Sequence, residues 1–281
     1  MTGLTTYPIK GAAGIAVQEA EVTPLGLKHD REFVLVDAKG KFLSQRNVPK
    51  MCLLTVDLGE ESMIVSYPGR TPLVIRHTPA RQGPSIPVDI FGKLGHGIDC
   101  GKMVATWFSD CLGIPCRLLQ YDFTKVRHRN GDGWDIPISF ADGFPVLLIP
   151  EESLADLNEK MLARGVATEP VGMDRFRPNL VVRGCEKPFE EDTWALVGIE
   201  GVSFIGEKIC ERCTVPLVDQ ATGIPAKGDP LGEPLATLST YRRLKAIPGK
   251  SGGPIFFGKN LKVLTSGVIR VGDEVWADDG A

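Results

Sequence analysis

The sequence predicts a mainly β protein with a few helices, an α+β fold made of two β-rich parts. Glycine (32) and proline (21) recur through the 281 residues and separate short runs rich in Val, Ile and Leu. That texture belongs to strands joined by turns. Helical periodicity is clear in two segments, and a polar stretch at 127–145 separates the earlier β-rich runs from the later ones.

In chain order, "REFVLVDAKGKFLSQR" predicts a hairpin, with strands Phe33–Asp37 and Lys41–Ser44 around an Asp-x-x-Gly turn. "LLTVDLGEESMIVSYPGRTPLVIRH" predicts three more strands, Leu53–Leu58, Met63–Tyr67 and Leu73–Arg76, so the first part reads as a small barrel or sandwich. In "CGKMVATWFSDCLGIPC" the apolar residues Val104, Trp107, Phe108, Cys111 and Leu112 have helical spacing, stopped by Gly113 and Pro115. The stretch 127–145 predicts an exposed loop, with a boundary near its start that divides the chain into 1–125 and 126–281.

"PEESLADLNEKMLARGV" predicts a second helix. Pro150 opens it, Glu151 and Glu152 suit the positive end of the helix dipole, Leu154, Leu157 and Met161 share a face, and Gly165 ends it. "FRPNLVVRG", "TWALVGIEGVSFIGEKI" and "NLKVLTSGVIRVGDEVWA" return to short strands, with a second loop predicted at 246–260.

Composition narrows the function classes. With 43% hydrophobic and 24% charged residues the chain can bury a substantial core. A net charge of −3 offers no global attraction to nucleic acid or an anionic membrane. No stretch approaches the roughly 20 apolar residues of a membrane span, and the N-terminus lacks a secretory pattern, so a cytoplasmic location is expected. Seven scattered cysteines do not resemble a disulfide framework. Four isolated histidines leave any metal dependent on sulfur, oxygen or a cofactor.

The chemistry centres on "EKICERCTVPLVDQATG", which places Cys210 and Cys213 three apart. A zinc site needs a second knuckle, and Cys111 and Cys116 have the wrong spacing. A redox dithiol prefers a helix N-terminus, whereas "TVPLVD" reads as extended chain. Two buried structural cysteines or a single thiolate ligand remain open; Arg212 favours a thiolate, and "VDQATG" supplies a turn that can hold the loop near a bound group. In "MDRFRPNLVV" the apolar residues anchor a strand and leave Arg175, Arg177 and Asn179 at its mouth. The planar fork of Arg177 suits phosphate or a pterin-like heterocycle. Lys10 in "TTYPIKGAAG" and Arg31 in "KHDREF" are further cations near strand ends.

Together, "YPIK", "DREF", "FADGFPVLLIPEESLADLN", "FRPNLVVRGC", "CERC", "PLATLSTYR" and "FGKNLKVLTSGVIRVGDEV" resemble, in order, the MOSC family of two-part proteins. The resemblance implies an N-terminal β-barrel-like domain followed by a MOSC β-barrel domain. It also implies a molybdenum cofactor (molybdopterin), with Cys213 as metal ligand and catalytic residue. Lys10, Arg31, Arg177, Asn179 and the residues around Asp142 in "FADG" are implied to hold its phosphate and pterin, with Gly11, Gly143, Glu211 and Arg212 in the same binding set; Asp142 is the candidate for proton delivery. Cys185 in "RGC" is expected to be structural, and Cys210 to pack beneath Cys213.

The implied activity is reduction of N-hydroxylated compounds such as amidoximes, hydroxylamines and N-hydroxylated bases. With no cysteine after Cys213 for an iron–sulfur cluster, electrons are expected from a separate donor protein. The alternative implied by the family is a cofactor carrier or a sulfur-transfer protein using Cys213, without a pyridoxal-phosphate-binding desulfurase portion. A cofactor-free β-rich binding module is a third reading. Relatives carry Ser where this chain has Gly11, and Cys-Ser-Arg-Cys where it has Cys-Glu-Arg-Cys.

Overall fold

Eight strands form the largest sheet, and its first two come from the N-terminus. Their order is Ile15–Ala16, Gly3–Thr6, Leu180–Val182, Val146–Pro150, Phe256–Val263, Val202–Glu211, Leu196–Ile199 and Val275–Asp278. The computed structural model describes residues 1–77, 82–131, 134–167, 169–228, 231–243 and 253–280. Within this sheet Val146–Pro150 and Leu180–Val182 run parallel, with Leu148 opposite Leu180. A parallel pair needs a crossover, and the helix Glu151–Ala163 provides it.

That helix starts and stops as the sequence predicts. Leu157 and Met161 lie buried four apart and pack on Ile149, Phe176 and Phe257. Its buried face is turned slightly from the predicted one: Leu154 is partly covered while Ser153 is fully buried. The hydroxyl of Ser153 donates to Glu191 and accepts from the Phe189 N–H at 2.9 Å, which makes the polar position tolerable inside.

The N-terminal part is built on a four-stranded sheet, Phe33–Val36, Arg117–Tyr121, Lys93–Asp99 and Ser85–Ile90. All four residues of Phe33–Val36 are buried because the sheet is covered on both sides. Phe33 and Leu35 join Met51, Met63 and Phe108 in one core, while Val34 and Val36 join Tyr121 and Phe140 in another. Strand alternation thus feeds two cores. The meander Thr55–Leu58, Ser62–Ser66 and Leu73–Arg76 adds to the first, with the helix Lys102–Leu112 packed on it through Val104 and Phe108. Gly113 ends the helix at φ 70, a left-handed cap that favours glycine.

The fold is mainly β with three α-helices among the described residues, as predicted. Three local expectations are corrected. Lys41–Ser44 is not a ladder strand; Lys41 and Phe42 make single bridges to Asp89 and Val36. The stretch 127–145 is largely not an exposed loop: Arg127–Gly131 and Trp134–Ile138 form a hairpin, and Ile136, Ile138 and Phe140 are buried. Of the predicted loop at 246–260, residues 246–252 lie outside the described residues, and 256–260 belong to the strand Phe256–Val263. Among the described residues, no helix is long and apolar enough to cross a membrane.

Candidate functional site

A cavity of 530 Å³ gathers the residues that the resemblance implies for the site, while Arg175 lies outside it. Lys10, Gly11 and Arg31 reach it from the N-terminal part; Asp142 and Gly143 from the turn after the hairpin Arg127–Gly131 and Trp134–Ile138; Arg177 and Asn179 from the approach to Leu180–Val182. Cys210, Glu211, Arg212 and Cys213 come from the end of Val202–Glu211 and the turn beyond it. Arg46, Lys93, Arg129 and Lys208 also line the walls, giving eight cationic side chains against the two carboxylates of Asp142 and Glu211. On a chain of net charge −3 this is a local reversal of sign. Such a cavity selects a ligand carrying several negative charges.

Lys10 is placed by its backbone. Ile9 bridges Phe33, and the Lys10 N–H donates to the Phe33 carbonyl at 2.8 Å. Its ammonium pairs with Asp142 Oδ1. Burial lowers the Lys10 pKa against the pull of Asp142. At Asp142, burial pushes the carboxyl up, but Lys10, aided by Arg31 and Arg46, holds it below its ordinary value. Asp142 keeps 60% of its side-chain surface exposed, so the pair stands at the cavity wall. In this pair Asp142 is the counterion that directs the Lys10 ammonium.

Gly11 has φ +86, and a Cβ there would lie 2.7 Å from the Met51 Cε. Met51 therefore occupies the space into which a serine would project. Gly143 has a related reason: a Cβ would stand 3.3 Å from the Arg129 guanidinium, so the missing side chain lets that cation approach the turn.

Arg31 and Arg177 both adopt left-handed backbone, with φ 50 and 57. Positive φ is uncommon for such residues and is held here by many contacts. The Arg31 guanidinium pairs with buried Asp30 and donates to Asn179 Oδ1 at 3.0 Å. It lies 4.4 Å from the Tyr7 ring centre, and the Arg177 guanidinium lies 4.3 Å from the same ring. Burial pushes the Asp30 carboxyl up, opposed by Arg31 and by donation from the Tyr7 N–H and Asn179 Nδ2. Burial also lowers the Arg177 pKa. Asn179 reaches the cavity, but its amide is fully engaged: Oδ1 accepts from Arg31 and the Leu147 N–H, and Nδ2 donates to Asp30 and the Thr5 carbonyl. In this geometry it positions Arg31.

Sequence reasoning assigned no role to an amide pair that joins the two parts. Gln45 Nε2 donates to Gln220 Oε1 at 3.1 Å, and Gln220 Nε2 donates back to Gln45 Oε1 at 2.9 Å. Gln45 also donates to the Gly11 carbonyl at 2.8 Å, and Arg177 donates to Gln220 Oε1 at 3.4 Å. Nothing in the spacing of "KFLSQR" signals this clasp.

The cysteine loop is braced from behind. "TVPLVD" is not extended, since Val215–Leu217 form a 3-10 turn. Arg175 donates to the Pro216 and Leu217 carbonyls and to Asp219 Oδ2, while Asp219 Oδ1 accepts from the Ala221 and Thr222 N–H groups. The expected rigid turn is formed by these contacts. Cys210 is not packed underneath Cys213: it is half-buried, lines the cavity, and its Sγ accepts from Arg212 Nη1 at 3.2 Å. Glu211 is exposed at the cavity rim. Cys185 lies elsewhere, against the core of the large sheet, and burial pushes its thiol up to about 12.

Residues 1–115 match the family described as the MOSC N-terminal beta barrel domain, and residues 135–276 match the MOSC domain. This chain belongs to the MOSC family. A mitochondrial amidoxime reducing component 2 from Rattus norvegicus is 34% identical, over 96% of this chain and 80% of that protein. Mitochondrial amidoxime-reducing component 1 from Mus musculus is 32% identical, over 97% and 80%. A molybdenum cofactor sulfurase from Solanum lycopersicum is 32% identical over 98% of this MOSC chain but only 35% of its own length.

The cavity can be tested against the cofactor this MOSC family implies. Among the described residues, no three His, Cys, Asp or Glu side chains gather as a metal cage. A metal here would need most of its ligands from a cofactor, with a cysteine completing the set, and Cys210 and Cys213 both line the cavity. Arg212 Nε is buried without a protein partner, a donor left for a ligand acceptor. The donor set therefore fits a phosphate-bearing, sulfur-ligated metal cofactor.

Proposed function

We propose that this MOSC protein is a molybdenum-cofactor-dependent oxidoreductase that reduces N-hydroxylated compounds. The observation that carries the reading is the convergence of Cys213 with Lys10, Arg31 and Arg177 on one cation-rich cavity. When bound, the cofactor supplies the two-electron chemistry for cleaving an N–O bond. The net reaction converts N–OH, two electrons and two protons into N–H and water.

The chain's residues bind and orient. Cys213 offers its thiolate to the metal. Arg31 and Arg177, fixed on Tyr7, present guanidinium donors to the phosphate and pterin, and Arg212 adds its unpaired Nε–H. Lys10 adds a charge whose direction is set by Asp142 Oδ1. Gly11 leaves room for Met51 and Gly143 for the Arg129 guanidinium at the cavity wall, and Glu211 sits at the rim where it bears on ligand entry. A cytoplasmic location and a separate electron-donor protein complete the proposal.

The test is metal and pterin analysis of protein from a cofactor-competent host, combined with amidoxime reduction driven by a chemical electron donor. Molybdenum, pterin and turnover together support the reductase. Pterin without turnover points to the carrier reading, which the sulfurase relatives keep in view. Absence of both from protein made in such a host rejects both readings.

A further inference from the structure

The hairpin Ser85–Ile90 and Lys93–Asp99 turns through two residues, Phe91 and Gly92, beside the cofactor cavity. Their φ values are 54 and 75. A two-residue loop with positive φ at both central positions favours Asn-Gly or Asp-Gly, and a bulky aromatic at the first is strained. Burial does not compensate, because Phe91 is 48% exposed. A strained residue that packs its ring only partly is expected where the ring has another use.

The surroundings indicate that use. Phe91 lines both the 530 Å³ cavity and an adjoining one of 440 Å³, which share Phe42, Ser44 and Arg46. The Arg46 guanidinium lies 4.4 Å from the Phe91 ring centre, and the Phe42 ring meets it edge-on at 4.8 Å. Gly92 N–H donates to Asp89 Oδ1 at 2.6 Å, and the Asp89 carbonyl accepts from the Phe42 N–H. The turn is thus tied to the cavity wall.

We propose that Phe91, flanked by Phe42 and Arg46, is a specificity-determining platform that stacks the planar, π-bearing part of the substrate at the cavity mouth. The inference rests on the reductase reading for the identity of the ligand, and it commits to aryl over alkyl N-hydroxylated substrates. A planar delocalised group can stack on the Phe91 ring or on the Arg46 guanidinium, whereas an alkyl chain gains only contact area.

The experiment compares wild type, Phe91→Ala and Phe91→Tyr in the cofactor-loaded protein, using benzamidoxime and an alkyl amidoxime of similar size. Kd is read by calorimetry and kcat/KM by steady-state reduction. Phe91→Ala should weaken benzamidoxime binding and kcat/KM by about five- to tenfold, the scale of one aromatic contact, mainly through KM. The alkyl probe should change by less than about twofold, and Phe91→Tyr should retain the aryl preference. Equal changes for both probes, or none, overturn the proposal. Aryl binding that depends on Phe91 without turnover leaves the platform standing and removes the reductase reading. Phe91→Asn supplies a separate check: relief of left-handed strain should raise Tm while the aryl preference falls, and a lowered Tm contradicts the strain argument.

Discussion

Asp30 is 2% exposed and stands directly behind Arg31, so the residues that hold this cavity-lining arginine are themselves buried polar groups. Removing one member of such a pair leaves the other desolvated, at a cost of about 3–5 kcal/mol. Arg31→Ala should therefore lower unfolding free energy by about 3 kcal/mol or more in a urea titration, apart from any loss of cofactor. A loss below about 1 kcal/mol would mean that the ion pair does not organise this corner. Lys10, Arg31, Arg177 and Cys213 were legible in the sequence because each sits in a recognisable motif. Gln45 and Gln220 were not, since a pair of neutral amides far apart in the chain leaves no periodicity or charge pattern. Asn179 was legible as a site residue, but only the structure shows all of its amide groups bonded to protein.

The strand Val202–Glu211 carries the site from the large sheet to the cysteine loop, and its register shifts twice, between Gly206 and Lys208 and between Ile209 and Glu211. Such bulges re-aim the side chains beyond them. Gly206 is part of this device: a Cβ would stand 2.0 Å from the Trp194 carbonyl oxygen. Gly206→Ala should cost about 2 kcal/mol through overpacking against backbone, and an unchanged Tm would contradict that close approach. The bulges were invisible in sequence, where "EGVSFIGEKI" shows only a strand. The two long helices were legible from spacing and their glycine stops. The hairpin Arg127–Gly131 and Trp134–Ile138 was not, because Arg127, His128, Arg129 and Asn130 conceal its role. Arg127 is buried, donating to the Ser139 and Ala141 carbonyls beneath the turn that bears Asp142. The hairpin bearing Phe91 was hidden by Pro87, Gly95 and Gly97, residues depleted in strands.

Across the whole molecule, strands from the N-terminus enter the large sheet, so the cavity depends on parts far apart in sequence. Away from the cavity, the buried Glu191 carboxyl is pushed up to about 7, chiefly by burial, against the hydrogen bonds from Ser153. Its folded pKa lies above the unfolded value, so between about pH 4.5 and 7 the folded state binds the extra proton and stability falls as pH rises. Glu191→Gln should therefore gain stability relative to wild type between about pH 5 and 8, by up to about 3 kcal/mol. Parallel stability profiles for the two proteins would contradict that assignment. The larger electrostatic feature is the cation-rich cavity on a chain of net charge −3, with one cysteine loop held rigidly beside it. The most direct test of its purpose is amidoxime reduction and molybdenum content in Cys213→Ala, with circular dichroism to check the fold. The account predicts a folded protein, pterin retained on Arg31 and Arg177, and reduction lost by at least about a thousandfold, as expected on removing a metal ligand essential to the chemistry. Wild-type rates of reduction in that folded variant would contradict it.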